Sequence, residues 1–392
     1  MSATLFFRKM VGKYLLTDLM EKKTPQEVER YLAAVPEPTD DYQRALEQEK
    51  ATMYQRRWWK KLLLNVGAAV TYFPYLRTLS AAKLPEHAES CDAVFFSDRI
   101  SIETIPDSVR AEFPHIEIVR IGQHMALAPT DRSFLRALRQ KAPFRFYFNL
   151  KNMLKIAMIS TAVSTYHPKA VIAYWEGSPS TSIATMYCEA KGVEHIGIMH
   201  GERDFSLQLT FFRYSRYYVW DTDYRDLLLS LRCERSQFRV ELPEAVRLPG
   251  YDASCEKRYD YTFYLNGEDR ESLHRAAHIC ELLTARGNRI AVRPHPAETE
   301  FSYETIFPQA EIQYCRDVPL DRSLSITRNA VGKYSTVLYQ AMVVGVPVII
   351  DDYSVPGMYE NLQANHFVPL KRPHERITHL LLELNEQRKE CI

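Results

Sequence analysis

The chain has 392 residues, 46% of them hydrophobic and 25% charged. That length exceeds the usual size of one core and that composition excludes a wholly disordered chain, so two domains are expected. Fifty Lys and Arg against 49 Asp and Glu leave a net charge of +1, which gives no general pull toward nucleic acid. The seven cysteines, at 91, 188, 233, 255, 280, 315 and 391, are dispersed. They form no CxxC pair and no Cys/His cluster, so reduced thiols in a cytoplasmic protein are expected, with no metal site.

The opening stretch, residues 1–16, is too short in apolar residues for a secretory signal, and no run approaches the ~18 needed to span a bilayer. Residues 1–85 form a helical N-terminal extension, with helical spacing over Pro25–Ala34 and Asp41–Met53. It contains the basic and aromatic segment Arg56–Leu64, which has two readings: a helix packed by its Trp and Leu residues, or a peripheral membrane contact.

From Asp92 strands alternate with helices. Strands are expected at Ala93–Ser97, Ile116–Ile121, Ala170–Trp175, His195–Met199, Tyr217–Trp220 and Val246–Leu248. Phe134–Thr165 reads as helical with a break at Pro143, and Ser180–Lys191 as a helix. A second alternation follows residue 250, with strands at Tyr261–Leu265, Arg289–Arg293, Ile312–Cys315, within Leu324–Gly332, and at Val346–Asp351. Its helices are Arg270–Arg286, Ser335–Val344 and a tail from His374. The pattern predicts an α/β chain with two Rossmann-like parallel-sheet domains, 86–250 and 251–370, and a C-terminal helix in 371–392. Ligands of such sheets bind at the carboxyl ends of strands, so chemistry is expected in a cleft that the two domains face.

Four short motifs lie at those strand ends. In Arg293-Pro294-His295-Pro296 two prolines fix the backbone and present His295, which can donate to phosphate or ribose, with Arg293 adding charge. Lys333-Tyr334-Ser335-Thr336 puts Ser335 or Thr336 at a helix N-terminus, where free N–H groups favour anions; an ordinary N-cap is the plain alternative. Trp175-Glu176-Gly177-Ser178 offers Glu176 as a general base, with Gly177 and Ser178 beside substrate. His200-Gly201-Glu202-Arg203-Asp204 offers His200 and Arg203 as substrate-binding residues, with Glu202 and Asp204 as reserve bases. Asp221-Thr222-Asp223 has metal-motif spacing but no completing ligand, and no GxxxxGK[ST], GxGxxG or GxSxG motif is present.

The set Trp175-Glu176-Gly177, His295-Pro296 and Ser335-Thr336 resembles the three short motifs of bacterial sialyltransferases and related capsule and lipopolysaccharide glycosyltransferases of the GT-B fold. The resemblance spans about residues 90–370 in architecture, but Trp175 stands where the family has an acid and the third motif reads Tyr334-Ser335-Thr336. It implies a metal-independent, inverting transfer from a CMP-linked ulosonic acid to a glycan or lipid-linked glycan acceptor, at the inner face of the cytoplasmic membrane. Glu176 is then the base, with His295, Ser335, Thr336 and Arg293 holding the donor's nucleotide and phosphate; no cofactor is implied. The rivals are a polyol-phosphate or neutral nucleotide-sugar (UDP or GDP) transferase of the same fold, and a non-catalytic sugar-nucleotide-binding partner.

Overall fold

The computed structural model describes residues 21, 23–85, 89–123, 125–296 and 301–382. The expectations for residues 1–16 and for the end of the C-terminal helix lie outside them. The chain divides into two units, residues 1–200 with 205–242, and residues 201–204 with 243–392.

Among the described residues the first unit begins with three helices. α1, Pro25–Ala34, starts at a reciprocal cap between Thr24 and Glu27. In α2, Asp41–Tyr54, the Asp40 carboxylate accepts the Gln43 N–H at 2.7 Å. α3, Trp58–Ala81, runs for 24 residues. α2 is tied to the rest of the unit by ion pairs of Arg44 with Glu234 at 2.8 Å and Glu49 with Arg145 at 2.6 Å. The packing reading of Arg56–Leu64 holds for Arg56, Lys60 and Leu64, which face inward, and fails for both tryptophans: Trp58 is 75% exposed.

There follow β1 (Ala93–Phe96), β2 (Ile116–Val119), α4 (Asp131–Lys141), α5 (Phe146–Tyr166), β3 (Ala170–Ala173), α6 (Thr181–Ala190), β4 (Glu194–Ile198), β5 (Arg216–Val219), α7 (Thr222–Ser230) and β6 (Phe238–Val240). The break between α4 and α5 falls at Pro143, where the missing N–H and fixed φ stop a helix. All strand pairs are parallel, in the order β2-β1-β3-β4-β5-β6. Every residue of β1 and β3 is buried, as continuous apolar strands covered on both faces must be. Phe96, Val171 and Ala173 pack toward α5, while Phe95, Ile172 and Ile198 fill the opposite layer. Val246–Leu248 is not a strand: Pro243 opens a helical turn over Glu244–Arg247, and Leu248 ends it in the left-handed region at φ 50°. The sixth strand is instead β6.

The second unit holds β7 (Tyr259–Tyr264), α8 (Arg270–Thr284), β8 (Ile290–Arg293), β9 (Glu311–Ile312), β10 (Thr327–Gly332), α9 (Thr336–Val343), β11 (Val348–Ile350), α10 (Met358–Ala364) and β12 (Glu375–Arg376). Its order, β12-β11-β10-β7-β8-β9, is that of the Rossmann sheet read from the opposite edge, again all parallel. The tail from His374 opens on β12 and turns helical only at 377. The chain therefore has the GT-B domain content that its sequence predicts, two Rossmann-like parallel units in succession.

Candidate functional site

In the second unit the strand order reverses direction between β7 and β10, the point at which such sheets open a crevice beyond their carboxyl ends. A pocket of about 360 Å³ lies there. It is lined by Asn266 after β7, by Arg293 and His295 at the end of β8, and by Ser335 and Thr336 after β10. The four donor-site residues expected from the sequence thus share one pocket.

Ser335 is the N-cap of the eight-residue α9, its Oγ accepting the Val337 N–H at 3.2 Å. The plain capping reading is correct, and it leaves the hydroxyl hydrogen for another acceptor. Arg293 is buried and spends one N–H on the Val318 carbonyl at 2.7 Å, which fixes its guanidinium against the pocket. Two contacts hold the pocket walls in register. Lys333 and Glu268 form a buried ion pair at 3.2 Å, although burial still raises the Glu268 pKa. The Asn266 side-chain amide donates to the Tyr334 carbonyl. Neither Glu268 nor Asn266 was a sequence candidate; both follow β7 at its carboxyl end, a position that marks them.

His200 and Arg203, both substrate-binding candidates in the sequence, fall in different units. The chain leaves the first unit after His200, and residues 201–204 fold with the second. Glu202 lines the pocket there, and Arg203 Nη1 donates to the Glu202 carbonyl at 2.9 Å. A Cβ at Gly201 would come 3.5 Å from Thr336 Oγ1, so glycine admits the backbone close to the start of α9.

In the first unit, β3 and β4 are parallel neighbours, and the residues just past their ends meet. Glu176 is 3% exposed, and its Oε1 lies 3.9 Å from His200 Nδ1. The His200 ring lies tilted against Tyr174 at 4.6 Å between centroids and keeps 29% of its side chain exposed. The turn that carries Glu176 is pinned from three directions. The Trp175 N–H donates to the Tyr214 hydroxyl at 2.7 Å, the Ser178 N–H to the Trp175 carbonyl at 2.8 Å, and Gln48 Nε2 of α2 to the Glu176 carbonyl at 2.6 Å. Ser178 shares a 2.8 Å hydrogen bond with Ser180, and Gly177 meets only Gln208 Oε1, 3.9 Å from where its Cβ would stand.

An aromatic layer supports this turn. His195, fully buried, shares a 2.8 Å hydrogen bond with Thr185 and lies against Tyr214, and burial pushes its pKa down to about 3. Lys155 sits 3.2 Å from the Trp175 ring centroid, and burial holds its ammonium well below the usual lysine range. Asp221 caps α7, its side chain accepting the Asp223 and Tyr224 N–H groups.

No family model matches the chain, and no curated protein matches it in sequence. Solved structures similar to it include UDP-GlcNAc 2-epimerase from Methanocaldococcus jannaschii in complex with UDP-GlcNAc and UDP, at 13% identity over 70% of this chain and 87% of that one, TM-score 0.42. UDP-GlcNAc 2-epimerase from Neisseria meningitidis is 12% identical over 67% and 82%, TM-score 0.41. The calicheamicin glycosyltransferase is 9% identical over 70% and 82%, TM-score 0.42. At scores of this size the functional reading rests on the chain's own residues.

Proposed function

We propose that the protein is an inverting GT-B glycosyltransferase whose second unit binds a nucleotide-activated sugar. One observation carries the reading: Arg293, His295, Ser335 and Thr336 line a single pocket at the switch point of a Rossmann-ordered sheet, beside the N-terminus of α9. A helix start with a free hydroxyl proton, an imidazole and a guanidinium suits a phosphate that gains charge as its bond to the sugar breaks. Glu202 on the same wall suits a ribose hydroxyl.

In the reaction an acceptor hydroxyl attacks the anomeric carbon and the bond from that carbon to the phosphate oxygen breaks. The acceptor's proton passes to a base, and the nucleotide departs with the electron pair. Direct displacement inverts the anomeric centre. The base is Glu176. A second reading is favoured by burial: His200, the more exposed partner of the pair, takes the proton while Glu176 holds its ring. The donor is a CMP-linked ulosonic acid and the acceptor a surface glycan; what supports this choice is the order of the three motifs at Glu176, His295 and Ser335.

A thermal-shift series with CMP, UDP, GDP and CDP-polyols tests the donor. CMP at a hundredfold its dissociation constant should add about 2.7 kcal/mol of stability. Stabilisation by UDP or GDP alone would retain the fold reading and reject the CMP-sugar one. Glu176→Gln, which keeps size but takes no proton, should lower turnover by roughly 10²–10⁴-fold with CMP affinity unchanged. Equal turnover in wild type and Glu176→Gln, with His200→Gln inactive, would move the proton transfer to His200 alone.

A further inference from the structure

A second cavity, of about 720 Å³, lies in the first unit away from the Glu176 turn, between α3 and α4. Its apolar wall is Tyr72, Phe73, Leu76 and Leu135, and its rim carries Arg77, Arg132, Arg136 and Arg139. No carboxylate lines it among the described residues. Arg132 donates to the Ser80 carbonyl at 2.9 Å. Arg139 lies over the Phe73 ring at 4.7 Å and the Tyr72 ring at 5.4 Å, and its Nε has no hydrogen-bond partner among the described residues. The nearest acid in sequence, Asp131, turns inward to Lys191 at 2.6 Å and to the Ser160 and Tyr187 hydroxyls.

The cavity continues into an uncovered helix face. Trp59, Leu62, Leu63, Val66, Val70 and Phe73 follow helical spacing along the outer side of α3, with Trp58 at its head, and Val70 is 71% exposed. The face covers about 22 Å of helix. Phe73 belongs to both the face and the cavity. The inner side of the same helix, through Lys60, Leu64, Ala68, Tyr72 and Leu79, packs on the unit, so the outer row is not needed for its core.

Charge decides what fits. The sequence has no Asp or Glu from residue 51 to 85 or from 132 to 175, the two stretches that build this face, while both carry several Lys and Arg. Apolar and aromatic side chains beside guanidinium groups that form no ion pair among the described residues match the boundary between acyl chains and anionic headgroups. We propose that this face docks the protein on an anionic lipid bilayer: the outer row of α3 enters the interface, and the arginine cavity takes a lipid phosphate. The assignment goes beyond the transfer reaction and does not depend on which nucleotide the second unit binds.

The test is co-sedimentation of the full chain with vesicles of phosphatidylcholine, with and without phosphatidylglycerol. Binding should require phosphatidylglycerol and weaken as salt rises. Arg136→Gln and Arg139→Gln should each weaken it about 5-fold, and the pair about 25-fold. Leu62→Ser with Val66→Ser and Val70→Ser should release the protein at an unchanged melting temperature, since these side chains are exposed. Failure of the wild type to bind anionic vesicles, or undiminished binding by the arginine pair variant, would overturn the proposal. So would a dimeric wild type that the serine variant renders monomeric, which would make the face a contact between two copies.

Discussion

Ser335 offers a decisive perturbation because it has two jobs that one substitution can separate. Its Oγ caps α9 through the Val337 N–H, and the residue lines the pocket shared with Arg293 and His295. Aspartate caps a helix as well as serine does, and its charge suits the positive end of the helix. Ser335→Asp should therefore leave the melting temperature unchanged. The same carboxylate places a negative charge in the proposed phosphate site. Two like charges about 4 Å apart near a protein surface cost about 4 kcal/mol, so nucleotide affinity should fall roughly a thousandfold. Ser335→Ala has the opposite signature, losing about 1 kcal/mol of stability and a smaller part of the affinity. Calorimetric titration of CMP and UDP into the three proteins, alongside thermal melts, gives both quantities. Tight nucleotide binding by the stable aspartate variant would refute a phosphate site at the start of α9.

Gly197→Ala should destabilise the first unit by about 1–3 kcal/mol or more, because its Cβ would stand 2.4 Å from the Tyr217 ring and 2.7 Å from Tyr214. A denaturation midpoint equal to wild type would show that these buried rings can move aside. His195 governs an acid-side effect. Its folded pKa, about 3, lies below the ordinary 6.5, so the unfolded chain binds the extra proton between those values. Its contribution is complete above about pH 6.5 and drains away toward pH 3, by up to about 1.4 kcal/mol per pH unit. His195→Gln should flatten this part of the stability–pH curve, and parallel curves for variant and wild type would contradict a neutral buried imidazole.

Some of this was legible in the sequence because burial on both faces writes itself as a continuous apolar run. Ala93–Phe96 and Ala170–Ala173 are such runs, and they are central strands. β6 was missed because it is an edge strand in which only Phe238 is buried, so Arg239 and Val240 give no apolar run. Val246–Leu248 misled for the converse reason: Val246 and Leu248 on either side of Arg247 read as a short alternation, which a helical turn opened by Pro243 fits equally well. The pocket of the second unit was legible because Arg293, His295, Ser335 and Thr336 follow strands directly. The Glu176–His200 pair was available from the rule that consecutive strands joined by a helix tend to be neighbours, which sets their ends side by side. Gln48 was not available at all, since its contact with Glu176 spans 128 residues and no local pattern encodes it.

The long reach of α2 has a consequence for how the protein is made. Arg44 finds its partner Glu234 190 residues later in the chain. At about 5–20 residues per second, synthesis of that interval takes roughly 10–40 s. For that time Arg44 has emerged from the ribosome without its partner, although Tyr42 and Ala45 can already pack on apolar residues between Tyr72 and Val193. The first unit therefore closes late in synthesis, and slower translation lengthens the interval in which Arg44 stands without Glu234.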